Sequence, residues 1–481
     1  MEPVPISLGL RSNPGRDGAL GSARLINCYA INAGSEAKSE YPLVACNGFT
    51  SFATITGGGV LRALLPFSPT LAYGVSGSVL FRTTSAGVTI NLATYSTTGT
   101  VTMARNRRQP SAQIAVVSSD GLFRMIEGNV VTSPAIPEGV TFNSVCSIDG
   151  YFILTCLTGE WFITAIDDGG SIDELDFAEA ESSPDGLLIG MVRGTDLCLF
   201  GPQSIEFWQN SGGDDFPFER VSVASMGCYA AGSVRDLTAV IDGQTTDTIA
   251  FAGTDAAGAY IGVFLLNGYG AQKISSEAVD RSIRLEGTLT TNIKAFTYVF
   301  DGHVFYTITG ATFTWEYNTT TGLWHERQSS SLPRWRVNDA ASFAGRTIIG
   351  DYTLGLLYSM APTVVSASAS TVSIQTSRDN GDTYTAARST TISASDRKQR
   401  FKWNRLGQSK EDGKVIKITI TNAINENGTG VPMTVIPPHV HSWPKPTRMG
   451  SLYVDVVPAS STTSRPKAIS AIAITATPVN G

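Results

Sequence analysis

The chain is poor in charge. Asp, Glu, Lys and Arg make up only 16% of its 481 residues, against the ~25% usual in soluble domains. Helical signatures are scarce too: capped stripes of apolar residues at i, i+3, i+4 are nearly absent, which excludes a coiled coil or helical bundle. No apolar run reaches ~18 residues, so no helical membrane span is expected, and no basic-then-apolar leader opens the chain. The six Cys (Cys28, Cys46, Cys146, Cys156, Cys198, Cys228) form no C-x-x-C pair. They read as buried free thiols of a protein folded in a reducing cytoplasm. Four His are too few and too scattered for a convincing catalytic or metal centre. His439 and His441 would share one strand face, yet no carboxylate or Cys accompanies them. Walker, G-x-G-x-x-G, H-E-x-x-H and G-x-S-x-G motifs are all missing. The expectation is a protein that is not an enzyme and holds no cofactor.

What is present is strand. Hydrophobic residues make up 42% of the chain, with 48 Gly and abundant Ser and Thr, so it is too apolar for disorder and suited to β-structure with many turns. Period-2 alternation recurs, as in Gly150-Tyr-Phe-Ile-Leu-Thr155, Ser204-Ile-Glu-Phe-Trp208 and His303-Val-Phe-Tyr-Thr-Ile308. Turns such as Asp149-Gly150 and Asp301-Gly302 punctuate it. The strands gather in groups of roughly 40–50 residues, the size of a propeller blade. The groups lie near 58–96, 98–138, 143–186, 189–236, 238–290 and 293–340, with a short remnant at 343–360. This predicts an all-β fold: an irregular β-propeller of six or seven blades over 51–362. Trp315-Glu-Tyr-Asn-Thr-Thr-Thr-Gly-Leu-Trp-His-Glu326 resembles the outer hairpin of a kelch-type blade, in which Trp324 would pack between blades. Residues 1–50 read as an N-terminal arm. Residues 363–481 read as a C-terminal β-domain with a Pro-rich arm or loop at 423–447, and the two would form a platform.

The net charge of −6 is the sum of two unlike parts. From Thr363 onward there are 14 basic and 7 acidic residues, and before it 21 basic and 34 acidic. The body is therefore at −13 and the C-terminal quarter at +7. Lys398, Arg400, Lys402 and Arg405 form the main basic cluster, a candidate contact for a partner or for DNA. In a strand, Lys398, Arg400, Lys402 and Asn404 would share one face, and Phe401, Trp403 and Arg405 the other. The acidic run from Asp167 to Asp185 includes Asp167, Asp168, Asp173, Glu174 and Asp176. It fits no calcium loop and reads as a loop facing solvent, a second subunit or a channel. Ser377-Arg-Asp379-Asn-Gly381-Asp-Thr383-Tyr384 resembles the Asp-box turn of sialidases and related propellers. There Asp379 would bond nearby amides, Gly381 would take positive φ and Tyr384 would return to the core. Such turns are structural, so a single copy gives only slender grounds for a carbohydrate-binding or glycosidase reading.

Three stretches in order carry a family resemblance: Glu160-Trp-Phe-Ile-Thr164, Ala180-Glu-Ser-Ser-Pro-Asp-Gly186 and Phe200-Gly-Pro-Gln-Ser-Ile-Glu-Phe207. Asn27-Cys-Tyr29 with Gly48, and Trp403-Asn-Arg405-Leu-Gly407, add to it. Together they resemble the packaged-DNA stabilisation proteins of short-tailed phages, also described as tail hub or nozzle proteins. The resemblance implies a virion tail component without enzymatic activity. It implies a homo-oligomeric ring, usually a hexamer, below the portal and its adaptor ring, adjoining a plug, needle or fibres. Double-stranded DNA would pass without sequence-specific contact. A receptor-binding tail tip is the other phage role such a chain could fill.

Overall fold

Two-residue turns fix the strand pairing. At Asp149-Gly150, Asp301-Gly302 and Asn427-Gly428 both residues have positive φ (53° and 94°, 48° and 77°, 48° and 90°). This is the mirror-image turn whose twist matches that of a hairpin. The computed structural model describes residues 4–6, 9–16, 21–34, 40–180, 186–213, 216–241, 243–255, 258–287, 290–361, 369–393, 398–408, 414–438, 447–457 and 467–478.

Successive hairpins build antiparallel sheets that form a seven-bladed propeller. Blade 1 runs from Leu61–Ser68 to Thr89–Thr94, blade 2 from Val101–Arg105 to Val130–Thr132, blade 3 from Phe142–Ile148 to Phe177–Glu179, and blade 4 from Ile189–Arg193 to Phe218–Ala224. Blade 5 runs from Arg235–Ile241 to Gly270–Lys273, with the short Gly227–Cys228 strand added on its second strand, and blade 6 from Lys294–Phe300 to Leu323–Glu326. Blade 7 takes three strands from Val337–Phe343, Arg346–Asp351 and Leu356–Ala361. Its fourth, Gly48–Thr54, comes from the other end of the chain. The expected remnant at 343–360 is thus most of a complete blade, whose missing strand is too distant in sequence to be grouped with it. Residues 48–50, expected in the arm, belong to that closing strand. The first strands of the seven blades neighbour one another in order, and blade 7 returns to blade 1. One helix, Glu277–Leu285, follows blade 5 where only strand was expected.

Each interface between blades is a separate apolar cluster, and Trp324 fills its predicted wedge. It packs in the cluster shared by blades 5 and 6 and donates its indole N–H to the Ile274 carbonyl at 2.7 Å. All six Cys are free and buried.

The chain termini share a second body of sheet. Within the N-terminal arm the apolar segment 23–31 is broken at Asn27, whose φ of 60° is a conformation Asn tolerates. Arg24–Ile26 pairs with Thr429–Ile436 and touches blade 6. Cys28–Ala30 instead enters a sheet with Leu43–Ala45, Ala468–Pro478, Thr447–Val457 and Gln399–Gln408. Composition alone reads 423–447 as a loop, because Asn, Gly and Pro are common there. The structure instead makes Val415–Glu426 and Thr429–Ile436 one long hairpin; residues 439–446 of that stretch lie outside the described residues. Asn and Gly sit at its turn, and Pro432 stands beside alternating buried Val431, Met433 and Val435. That hairpin bridges the outer strands of blades 6 and 7, so the terminal sheets and the seam between those blades share one apolar core.

Candidate functional site

The densest chemistry in the chain lies at this seam. Glu316, on the third strand of blade 6, is fully buried. It accepts hydrogen bonds from Tyr298 (2.6 Å), Thr307 (3.0 Å) and His325 (2.7 Å), with Arg327 at 3.4 Å. Arg327 also donates to the Asn47 carbonyl at 3.2 Å and lies 3.8 Å over the Trp335 ring. Trp335 in turn donates to Glu426 of the long hairpin at 3.0 Å. Burial would raise the Glu316 carboxyl, but Arg327 and His325 outweigh it and hold the group at about 2. Burial pushes the Cys46 thiol up to about 12 despite Arg327. Cys46, Glu316 and His325 bring three potential metal-ligand atoms within 4.8 Å of one another. A guanidinium beside the carboxylate opposes a cation, and the carboxylate is saturated with donors. The cluster cross-links arm, blade 6, blade 7 and hairpin, and its chemistry does not suit a metal. No linear motif announces it, because its members are scattered from Cys46 to Glu426.

The basic strand forms with the expected alternation as far as Asn404. Phe401 and Trp403 are buried, and Arg400, Lys402 and Asn404 are exposed. Lys398 and Arg400 both engage Asp455 on the neighbouring strand, at 2.5 Å and 2.7 Å. Lys402 lies 5.4 Å over the Tyr453 ring. Arg405 departs from its expected place among the aromatics. A bulge between Asn404 and Gly407, with Arg405 at φ 58°, turns it outward and lets Leu406 take the buried position. Arg397, His439 and His441 lie outside the described residues.

The acidic run divides in two. Asp167 and Asp168 sit between the third and fourth strands of blade 3 and meet Arg107 (4.0 Å) and Arg108 (3.3 Å) from blade 2. They tie neighbouring blades rather than standing free. Asp173 and Glu174 project into solvent with Leu175, and Asp176 is half-buried; Glu181 and Asp185 are not among the described residues. The Asp-box-like turn also forms. Asp379 accepts from the Thr383 amide at 2.9 Å and from the hydroxyls of Ser377 and Thr383, which draw its carboxyl down to about 2. Gly381 has φ 102°. Tyr384, expected in the core, is instead half-exposed beneath Lys417, because the turn stands on the outside of the hairpin sheet. It lines a cleft of about 730 Å³ bordered by Arg24, Gln328 and Pro432.

A family model described as Bacteriophage P22 Gp10, beta-propeller, matches residues 3–365, three-quarters of the chain. The chain belongs to this phage stabilisation family. It is therefore a structural phage protein of the packaged-DNA stabilisation type, as the motif order implied. A search of curated proteins returns no match. Among solved structures, the WD40 propeller domain of Doa1 aligns with 66% of this chain and 97% of its own, at 12% identity and TM-score 0.40. An inactive virginiamycin B lyase from Staphylococcus aureus aligns with 64% of this chain and 97% of its own, at 10% and 0.45. The extracellular domain of BT4673 from B. thetaiotaomicron aligns with 67% of this chain, which spans 41% of that protein's length, at 10% and 0.45.

Gly48, one of the residues that carried the resemblance, has a physical reason at the seam. A Cβ there would lie 2.2 Å from the Asn425 carbonyl oxygen, so only glycine lets the hairpin approach the closing strand. Asn27, another, donates to the Pro432 carbonyl at 2.9 Å and accepts from the Gln328 amide at 2.9 Å. In this family member those residues hold the terminal sheets on the propeller.

Proposed function

We propose that the protein is a tail nozzle subunit: several copies form a ring below the portal and adaptor, and DNA passes through the space between the copies. The observation that carries the reading is the family match over residues 3–365, and the width of the propeller axis sets where DNA can run. The tunnel lined by the seven first strands holds about 510 Å³. Spread along a strand of roughly 17 Å, that volume is room for a narrow file of water, and a duplex whose major groove alone is ~12 Å wide cannot enter it. A conduit made from this chain therefore needs more than one copy around it, and six is the number the family resemblance implies. The propeller-side excess of acid, −13 before Thr363, suits a wall that repels phosphates and lets the genome slide. Lys402 and Arg405, exposed on the terminal sheet, suit contact with an acidic neighbour such as the adaptor. A plug, needle or fibre would close the far end of the conduit.

Electron microscopy of the full chain, alone and mixed with portal–adaptor complexes, tests this. The expected result is a ring with an axial channel that docks under the adaptor, its lumen lined mainly by Asp and Glu. A monomer that ignores the adaptor and binds or cleaves glycans would overturn the proposal, as would a lumen lined mainly by Lys and Arg.

A further inference from the structure

One mouth of the propeller tunnel concentrates positive charge that neither the seam nor the basic strand requires. Lys294 begins the first strand of blade 6. Its side chain passes over Gly232, where an added Cβ would lie 2.9 Å from Lys294 Cδ, and crosses the axis to donate to Thr100 Oγ1 at 2.7 Å, just before blade 2. Arg62 from blade 1 and Arg334 from the segment entering blade 7 line the same cavity of about 530 Å³, with Asn292, Asn338 and Tyr352. Both arginines are buried, at 7% and 6% exposure. Their N–H groups are turned onto backbone carbonyls: Gly77, Ser96, Thr98 and Gly99 for Arg62, and Gly310, Trp335 and Val337 for Arg334.

Carbonyls satisfy hydrogen bonds but bring no net negative charge. Among the described residues no carboxylate lies within 4.0 Å of Lys294, Arg62 or Arg334; the ion pairs of blades 6 and 7 use Arg327 and Arg336 instead. Desolvation draws the Lys294 ammonium down to about 7, with Arg235 and Arg62 adding repulsion and Asp339 offsetting part of it. Desolvation likewise draws Arg334 down to about 10. The nearest acids act from beyond contact, Asp120 on Arg62 and Glu286 and Asp351 on Arg334. Cations held from water with no carboxylate in contact are costly, and an arriving anion relieves that cost.

We propose that this mouth is an oxyanion site, in which one carboxylate or phosphate group enters the cavity and is held by the Lys294 ammonium in the field of Arg62 and Arg334. The carrier must be slender, an acidic side chain or a free oxyanion. A duplex presents its phosphates on a convex surface too broad to enter a recess of this size. The site is independent of the ring and of the basic strand.

Calorimetric titration of the full chain with inorganic phosphate, and separately with acetyl-tetraglutamate amide, tests it against chloride at matched ionic strength. At least one probe binds at a single saturable site, tenfold or more weakly in Lys294→Met and unchanged in Arg346→Met. Preference for phosphate marks a free oxyanion as the ligand, and preference for the peptide marks an acidic side chain. Binding that is absent for both probes, or equal in Lys294→Met and the wild type, refutes the site. Should Lys294→Met fail to fold, Lys294→Gln keeps a donor toward Thr100 without the charge and gives the same comparison.

Discussion

Blade 3 and the seam between blades 6 and 7 solve the same packing problem in opposite ways. Blade 3 meets its neighbours through rings. Phe142 and Phe162 pack with Phe123 of blade 2, and Trp161 packs edge-on against Trp208, Phe216 and Phe218 of blade 4, at 5.2, 5.3 and 5.7 Å between centroids. Every one of these residues lies within a single stretch of chain, and the charged pairs stay at the exposed rim. The seam instead buries Glu316, His325 and Arg327 of blade 6 with Glu426 of the long hairpin, and ties them to Asn47 of the arm and to Trp335 at the entry to blade 7. Consecutive blades need only apolar burial, since the chain already delivers them side by side. Segments arriving from distant parts of the sequence must also be placed in register, and directional charged hydrogen bonds do that at a cost in desolvation.

The largest effect should come from deleting residues 1–54, which removes the closing strand of blade 7 and the Asn47 carbonyl that Arg327 bonds. The truncated chain is expected to lose its cooperative unfolding transition, followed by circular dichroism and sedimentation. A sharp transition at the full-length midpoint would mean that the ring closes without that strand. Arg327→Met leaves Glu316 buried with one cation fewer and should cost about 3–5 kcal/mol in guanidinium unfolding. A loss under ~1 kcal/mol would make the seam no more demanding than an apolar interface. The ionisation of Glu316 offers a second view of the same network. Its folded value of about 2 lies below the ordinary 4.5, so the stability it supplies is complete above pH 4.5 and is lost as pH falls through about 2, worth about 3 kcal/mol in all. Acid titration followed by carbon-13 NMR of the Glu316 side-chain carboxyl should show its signal changing only near the lower value. In blade 3, Phe152→Leu should cost about 1–2 kcal/mol by leaving a small cavity, read by the same unfolding assay. The smallest change belongs to the rim: Arg108→Ala, which breaks exposed pairs with Glu127 and Asp168, should cost less than about 1 kcal/mol.

Legibility in the sequence follows the same divide. Groups of strands from 58 to 186 could be read as blades because their hairpin turns and alternation are local. Blade 7 could not, because its outer strand lies far upstream. The Asp-box-like turn could be read because five hydrogen-bonding residues sit within seven positions. The direction of Tyr384 could not, because it depends on which side of the hairpin faces the core. Arg405 was misplaced by one bulge, since period-2 reasoning has no term for an extra residue.

By itself, then, the sequence determined the β class, the bladed repeat, the free thiols and the phage family. Each rests on composition, turn chemistry or a linear motif order. Only the tertiary structure decided that there are seven blades, that the two ends of the chain meet at one seam, that Asp167 and Asp168 are tied to Arg107 and Arg108, and that Lys294 spans the axis. These depend on which distant strands share an edge. That is a property of the closed ring, which no stretch of the chain specifies until its partners are in place.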